Sequence, residues 1–240
     1  ASDPWAGTGS NSAWSGVGTD TGEGAFAVGL MERLRTLYPT QVIHAVGVDR
    51  GASAAVHPPP SIASRYDITS QSGVVALMTT LLAGDGQTST QRLVFLYYQG
   101  TRDAVLGTTK ATYQASLQTI IDRYNLLWPT ADVFIGVHGD RTYANGGAVT
   151  DAQSQAIRDA HLELVATGAA KRLFDDVYRV GAVGTGTGWP DADAGDILHP
   201  GHIDNQWLSD EAYLGITLQR TVTDAAIRQA NAGYPASLTK

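Results

Sequence analysis

Cysteine is absent from this 240-residue chain, and lysine and long apolar runs are scarce. Without cysteine there is no disulfide framework, no thiolate nucleophile and no thiolate-held metal, and the redox compartment stays undetermined. The net charge is -7 and no Lys/Arg-rich run is present, which argues against nucleic acid or an anionic membrane surface as a partner. Because no stretch is apolar enough to span a bilayer and no signal-peptide pattern opens the sequence, we expect a soluble chain.

The composition is that of a chain that can bury a full hydrophobic core. Hydrophobic residues make up 43% of the sequence and charged residues only 16%. We find no internal repeat and no low-complexity linker. One α/β domain over residues 1–240 is the simplest organisation that these values predict.

Segments with helical periodicity alternate along the chain with short β-branched apolar runs. The predicted helices span residues 25–38, 70–82, 113–127 and 151–167, with one or two more over 206–230. The predicted strands span residues 41–48, 93–98, 132–138 and 172–178, and residues 139–147 are predicted to form a polar loop. This alternation predicts a mostly parallel sheet that is covered by helices on both faces.

A carboxylate and an imidazole stand three residues apart in Asp196-Ile197-Leu198-His199-Pro200. At that spacing Asp196 can accept the Nδ1 proton of His199 and leave Nε2 as a base. Pro200 pushes His199 toward extended backbone, so we expect the histidine on a loop. Such a pair would supply half of the catalytic groups of a hydrolase. The alternative interpretation is a surface Asp-His contact near the start of a helix.

Two small-residue turns offer groups that a hydrolase needs. Gly9-Ser10-Asn11-Ser12 could hold a serine hydroxyl clear of its backbone, although such stretches are usually flexible loops. The strand over residues 41–48 runs into Gly51-Ala52-Ser53, where Gly51 would allow a backbone N–H to approach a ligand closely. An ordinary strand-to-loop turn explains the second segment equally well.

Polar side chains also follow two later strands. Gln99 comes directly after the strand over residues 93–98, where ligands bind in open α/β sheets, and its amide could donate to a developing oxyanion. His138 ends the strand over residues 132–138 and could reach the same cleft. Taken singly, Gln99 could equally satisfy loop backbone and His138 could be structural.

Taken in order, four blocks resemble the SGNH (GDSL-like) hydrolase superfamily, and most closely its sialate O-acetylesterase and carbohydrate acetylesterase branch. The blocks are Gly9-Ser10-Asn11, Gly51-Ala52-Ser53, Tyr98-Gln99-Gly100-Thr101-Arg102-Asp103-Ala104 and Asp196-Ile197-Leu198-His199-Pro200. The family's blocks read approximately GQSN, GGS, QGESDA and DxxHP. The resemblance covers most of the chain and implies a three-layer α/β/α sandwich of flavodoxin-like type.

The resemblance also implies a role for individual residues. Ser10 would be the nucleophile, His199 the general base and then acid, and Asp196 the group that orients His199. The oxyanion hole would be built from the backbone N–H groups of Ser10 and Gly51 and the side chain of Gln99. Further substrate contacts are predicted for Asn11, Arg102, Asp103 and His138.

The expected activity is hydrolysis of O-acetyl or other short acyl esters on a small molecule or polysaccharide, with no cofactor and no metal. Members of the family are often secreted, periplasmic or carried on phage tails, which is the only indication of localisation. The sequence does not indicate the sugar, the acyl position or the oligomeric state.

The chain departs from the family pattern in two places. Thr101 and Arg102 replace the glutamate and small residue that follow Gln-Gly in the family, which brings a positive charge near the site. Residues 1–9 are too short and too polar for the hydrophobic strand that normally precedes the nucleophile. Ser12 and Ser15 therefore remain alternatives to Ser10.

Two other functions stay open from the sequence. One is metal-dependent chemistry, and the other is a catalytically degenerate SGNH-fold module that binds carbohydrate or attaches to a virion. The metal alternative depends on a cluster of hard ligands, namely Asp191, Asp193, Asp196, His199, His202 and Asp204. The binding alternative depends on tryptophans that could stack on sugars, namely Trp5, Trp14, Trp189 and Trp207.

Overall fold

A three-stranded parallel sheet forms the centre of the described part of the chain. The structure is a computed structural model, and it describes residues 26–40, 55–56, 93–184, 188 and 202–217. The strands are β1 (Val94–Tyr97), β2 (Asp132–Val137) and β3 (Lys171–Asp175), and they lie in the order β1-β2-β3. The described residues therefore form a parallel α/β fold, as the alternation of elements predicts.

Helices precede, connect and follow these strands. The longer ones are α1 (Phe26–Leu37), α3 (Lys110–Leu127), α5 (Asp151–Ala166) and α7 (His202–Thr217), and the short ones are α2 (Thr101–Val105), α4 (Ala144–Gly147) and α6 (Val177–Val180). None of the helices in these ranges combines the length and hydrophobicity that crossing a membrane requires.

The two faces of the sheet carry separate hydrophobic clusters. On one face α3 and α5 cover alternate strand residues, among them Phe95, Val133 and Ile135. On the other face α1 and α7 pack together over Phe134 and Phe174. The described sheet is thus enclosed between two helical layers, which is compatible with an α/β/α sandwich.

Gly136 in β2 allows the side chains on the second face to approach the sheet closely. A Cβ atom at this position would lie 2.6 Å from two ring carbons of Phe174 and 2.7 Å from Cδ2 of Tyr98. The pairing of β2 with β3 is also irregular between Ile135 and Gly136. The absent side chain lets Phe174 and Tyr98 pack edge to face, with ring centroids 4.9 Å apart.

Side-chain caps fix where the two central helices begin. The Thr109 hydroxyl accepts a hydrogen bond from the Thr112 backbone N–H at 3.3 Å. Thr150 and Gln153 form a reciprocal capping box at the start of α5. Each cap satisfies N–H groups that have no partner within the helix.

Several predicted boundaries agree with the structure and others are corrected. The helices expected over residues 25–38 and 151–167 and the strands expected over 93–98 and 132–138 are present within one or two residues of their predicted ends. α3 begins three residues earlier than predicted, at its Thr109 cap, and α7 begins at His202 instead of residue 206. The predicted segments 41–48 and 70–82, and the part of 206–230 beyond Thr217, lie outside the described residues.

The strand predicted over residues 172–178 is wrong at its end. β3 stops at Asp175, and Val177–Val180 is helical. The Asp175 carboxylate accepts the Val177 N–H at 3.2 Å, and the Asp176 N–H donates to the Val137 carbonyl at 3.0 Å. The second bond is the last one between β3 and β2, and the first closes the turn that leads into the helix, although these residues are typical of a strand. The loop predicted over residues 139–147 likewise contains α4.

Candidate functional site

The carboxyl ends of β1, β2 and β3 bring polar and charged side chains to one edge of the sheet. This edge is where ligands bind in open parallel α/β sheets. Tyr98 and Gln99 follow β1, His138 and Arg141 follow β2, and Asp176 follows β3. Residues that the sequence separates by up to 78 positions are hydrogen-bonded here.

Asp103 joins this edge to a distant segment of the chain. Its side chain is fully buried in α2, and Oδ2 accepts hydrogen bonds from the Ala55 N–H and from Nε2 of Gln99, both at 2.8 Å. Oδ1 accepts the Val56 N–H at 3.2 Å. Burial raises the pKa of Asp103, and these donors oppose that change by stabilising the carboxylate. One buried carboxyl group thus holds residues 55–56 against Gln99.

Gln99 has an amide whose orientation is fixed at both ends. Its Nε2 donates to Asp103, and its Oε1 accepts the Tyr97 hydroxyl at 2.9 Å. Tyr113 donates to the backbone carbonyl of Gln99 at 2.7 Å. Because a donor faces the oxygen and an acceptor faces the nitrogen, the network defines which end of the amide is which.

His138 is buried beneath the same strand end. It is only 2% exposed, and its ring contacts Tyr98 edge to face at a centroid distance of 5.0 Å. Burial lowers the pKa of His138 well below its ordinary value, with nearby Arg141, His161 and Arg158 adding to the effect. The ring is therefore neutral at physiological pH.

Gly100 makes room for that histidine. A Cβ atom on Gly100 would lie 2.6 Å from Cγ2 of Ile157 and 3.0 Å from Cε1 of His138. The residue also has φ of +148° and ψ of -18°, a backbone conformation that favours glycine. Gly100 therefore allows the chain to turn from β1 into α2 directly against the imidazole.

A second buried histidine packs against the first. His161, on α5, is fully buried, and its ring lies edge to face with that of His138 at 5.1 Å. Its Nε2 lies 2.8 Å from the Tyr113 hydroxyl. Burial lowers the pKa of His161 to about 3, with Arg141 and Arg158 contributing. Both imidazoles are therefore held in their uncharged form.

Replacing His161 with glutamine is expected to reduce the sensitivity of the fold to acid. The unfolded histidine binds a proton near its ordinary pKa of 6.5, whereas the folded one resists protonation down to about 3. Stability is therefore lost as the pH falls through this window, and glutamine removes that contribution. Denaturant unfolding of both proteins at several pH values across this range measures it. Parallel curves of unfolding free energy against pH for the two proteins would contradict the expectation.

Arg141 and Asp176 form a buried ion pair behind the two histidines. The Arg141 side chain is 2% exposed and that of Asp176 is fully buried. Nη2 of Arg141 donates to Asp176, which also accepts the Gly139 N–H and the Tyr98 hydroxyl, the last at 2.5 Å. Burial disfavours the charged guanidinium, but the Asp176 carboxylate outweighs it and raises the pKa of Arg141. The pair connects the ends of all three strands.

Arg141 also donates to groups other than Asp176. Nε donates to the Thr101 hydroxyl at 3.1 Å, and Nη1 donates to the Asp140 carbonyl at 2.7 Å. A second arginine, Arg158, holds Asp175 through two hydrogen bonds of 2.7 and 2.8 Å. These arginines act as structural links, because each one joins a buried carboxylate that follows or ends β3 to groups that follow β2.

The structure describes only some of the residues predicted to form the site. It brings Gln99, Asp103 and His138 to the same edge of the sheet, with Arg102 on α2 beside them. The Nε of Arg102 is buried and has no hydrogen-bond partner. Ser10, Asn11, Gly51, Asp196 and His199 lie outside the described residues, as do Ser12 and Ser15. Their predicted roles stay predictions.

The features behind the two alternative functions lie mostly outside the described ranges. Among the residues that the structure does describe, no three His, Asp or Glu side chains come together as a possible metal site.

Trp207 is 1% exposed and packs near Phe174, with ring centroids 6.4 Å apart. Its predicted role in sugar stacking is therefore wrong, because its ring fills the core under α7.

Sequence reasoning missed Tyr113, Arg141, His161 and Asp176. One signal could have identified His161, since it lies on the same helical stripe as Ile157 and Leu164, which are apolar and buried. A polar residue at an apolar position of an amphipathic helix needs a buried partner. No comparable signal marks Arg141, because the sequence around it is typical of a polar loop.

Comparison with known proteins identified no relative of this chain. No protein-family model matches the chain, and neither the curated proteins nor the solved structures contain a match to it.

Proposed function

We propose that this protein is a serine esterase of the SGNH type that hydrolyses O-acetyl or other short acyl esters, with a carbohydrate ester as substrate. Ser10 attacks the ester carbonyl while His199, oriented by Asp196, takes its proton. His199 then protonates the departing sugar hydroxyl, and water hydrolyses the acyl-enzyme. The N–H groups of Ser10 and Gly51 and the amide of Gln99 stabilise the oxyanion.

The observation that carries this proposal is the set of hydrogen bonds to Asp103. One carboxylate binds the N–H groups of Ala55 and Val56 and the amide of Gln99. Gly51 precedes Ala55 by four residues, so an extended chain keeps it within about 14 Å of this anchor. Asp103 therefore ties Gln99 to the described residues that follow Gly51 most closely in the sequence.

The architecture supports the same proposal at a coarser level. The parallel sheet has helices on both faces, as the three-layer sandwich of SGNH hydrolases does. Gln99 stands at the carboxyl end of a strand, where that fold places its catalytic groups. Its amide is held in one orientation, as an oxyanion donor needs to be before the substrate arrives.

The proposal is tested by hydrolysis of p-nitrophenyl acetate and by labelling with a serine-directed fluorophosphonate. We expect the purified protein to hydrolyse the ester and to lose activity as one fluorophosphonate is incorporated. Trypsin releases the candidate serines together, because Arg33 is the first basic residue of the sequence. Tandem mass spectrometry of that peptide is expected to place the label on Ser10.

Each other outcome has a defined meaning. A label on Ser12 or Ser15 would retain the esterase and reassign the nucleophile. Activity that a chelator abolishes and the fluorophosphonate spares would support the metal alternative. Saturable glycan binding without hydrolysis of any acetyl ester would overturn the proposal in favour of the binding module.

A further inference from the structure

We infer that Tyr113 and His161 are a positioning pair that holds Gln99 in the orientation required of an oxyanion donor. The inference rests on the proposed esterase function. Neither side chain is expected to touch the substrate, because both are fully buried. Their effect on the reaction passes through Gln99.

The Tyr113 hydroxyl is the centre of this arrangement. It donates to the Gln99 backbone carbonyl at 2.7 Å and lies 3.4 Å from the side-chain oxygen Oε1 of the same residue. It thus holds the backbone of Gln99 at the end of β1 and packs against the side-chain oxygen that accepts the Tyr97 hydroxyl. The His161 ring lies edge to face against the Tyr113 ring at 5.3 Å.

Counting protons assigns the direction of each bond. The Tyr113 hydroxyl has one proton, and it is directed to the Gln99 carbonyl, which cannot donate. The hydroxyl must then accept from Nε2–H of His161, 2.8 Å away. His161 is therefore the Nε2–H tautomer, and its Nδ1 is buried without a hydrogen-bond partner.

A chain of donors consequently runs from His161 through Tyr113 to Gln99. Hydrogen bonds in such chains polarise and strengthen one another when they are buried. Because burial keeps the pKa of His161 at about 3, the chain does not change its protonation over the pH range of an esterase assay. The contribution of His161 and Tyr113 to holding Gln99 is therefore the same throughout that range.

The first test replaces Tyr113 with phenylalanine, which removes the hydroxyl and keeps the ring. We expect kcat for p-nitrophenyl acetate to fall roughly tenfold to a hundredfold, with KM changed less than about twofold, since Gln99 acts on the transition state. Tyr143→Phe is the matched control. Tyr143 is 6% exposed and lies beside Arg141, with the guanidinium carbon 6.0 Å from its ring centroid, and it is not a member of the His161–Tyr113–Gln99 chain. The kcat of Tyr143→Phe is therefore expected to stay at the wild-type value.

The second test separates the two nitrogens of His161. Glutamine places a side-chain N–H near the position of Nε2, whereas asparagine places one near Nδ1. We expect His161→Gln to retain most of the wild-type kcat and His161→Asn to lose about as much as Tyr113→Phe. A purely structural role for the ring would not distinguish these variants at equal thermal stability.

A third test uses NMR and does not depend on catalysis. The side-chain amide resonances of Gln99, which are identified by their loss in Gln99→Ala, report on the contact between Tyr113 and Gln99. Tyr113→Phe is expected to shift or broaden them, and Tyr143→Phe to leave them in place. An active wild type whose Tyr113→Phe variant keeps its kcat and these resonances would overturn the inference alone. A wild type that hydrolyses no ester would overturn the proposed function and the inference with it.

Discussion

Replacing Gln99 with alanine is expected to lower kcat for an acetyl ester by roughly a hundredfold to a thousandfold, the usual effect of losing one oxyanion donor. The fold should tolerate the change. Asp103 keeps its hydrogen bonds from Ala55 and Val56, and the loss of one hydrogen bond to its carboxylate costs about 1.5–3 kcal/mol of stability. Steady-state kinetics with p-nitrophenyl acetate, beside denaturant unfolding, separates the two effects.

Two further glutamine variants serve as comparisons for Gln99→Ala. Gln99→Glu retains the shape but replaces the donor with a carboxylate beside Asp103, so it is expected to be at least as inactive as the alanine variant. Gln118→Ala removes a glutamine that bonds Asp122 on the exposed surface of α3, and its activity should equal that of the wild type. A kcat for Gln99→Ala within about threefold of the wild type would remove Gln99 from the proposed oxyanion hole.

Replacing Arg141 with methionine is expected to lower the free energy of unfolding by about 3–5 kcal/mol, the usual effect of breaking a buried ion pair on one side. The change leaves the Asp176 carboxylate buried without its cation. Among the described residues, the Tyr98 hydroxyl and the Gly139 N–H would still donate to it. Urea unfolding with linear extrapolation measures the difference.

Lys110→Met is the control for the Arg141 variant, because the side chains of the Lys110–Glu163 pair are 42% and 44% exposed. It should unfold almost as the wild type does. In the Arg141→Met variant the Asp176 carboxylate is left without its cation. Adding Asp176→Asn removes that negative charge and should recover part of the lost stability. An Arg141→Met protein as stable as Lys110→Met would show that water reaches the pair.

The strands and central helices of this fold could be predicted because their signal is local. Val133, Phe134 and Ile135 form a β-branched and aromatic run, and such a run gives a strand wherever the sheet lies. The end of β3 could not be predicted in the same way. Asp176 leaves the strand because its carboxylate is bound by Gly139 and Arg141, which lie in a loop more than thirty residues earlier.

In the candidate site, too, locally encoded residues could be predicted and residues that depend on tertiary packing could not. Gln99 could be identified from its place directly after an apolar strand and from its block of sequence. The groups that orient it could not, because Tyr113 and His161 come from two different helices and meet only when α3 and α5 pack together. The hydrogen bonds of Asp103 to residues 55–56 could not be predicted either, because they join segments nearly fifty positions apart, and its predicted substrate contact stays a prediction.

The packing of α1 against α7 also has a consequence for the order in which the chain folds. These helices pair although all three described strands lie between them in the sequence. Closing so long a loop costs more entropy than forming the successive strand–helix–strand units, so the sheet can assemble first. During synthesis the face with Phe134 and Phe174 then lacks the cover that α7 provides until this helix leaves the ribosome. The nascent protein is most vulnerable to aggregation in that interval, and it is the stage at which a chaperone would have the most to bind.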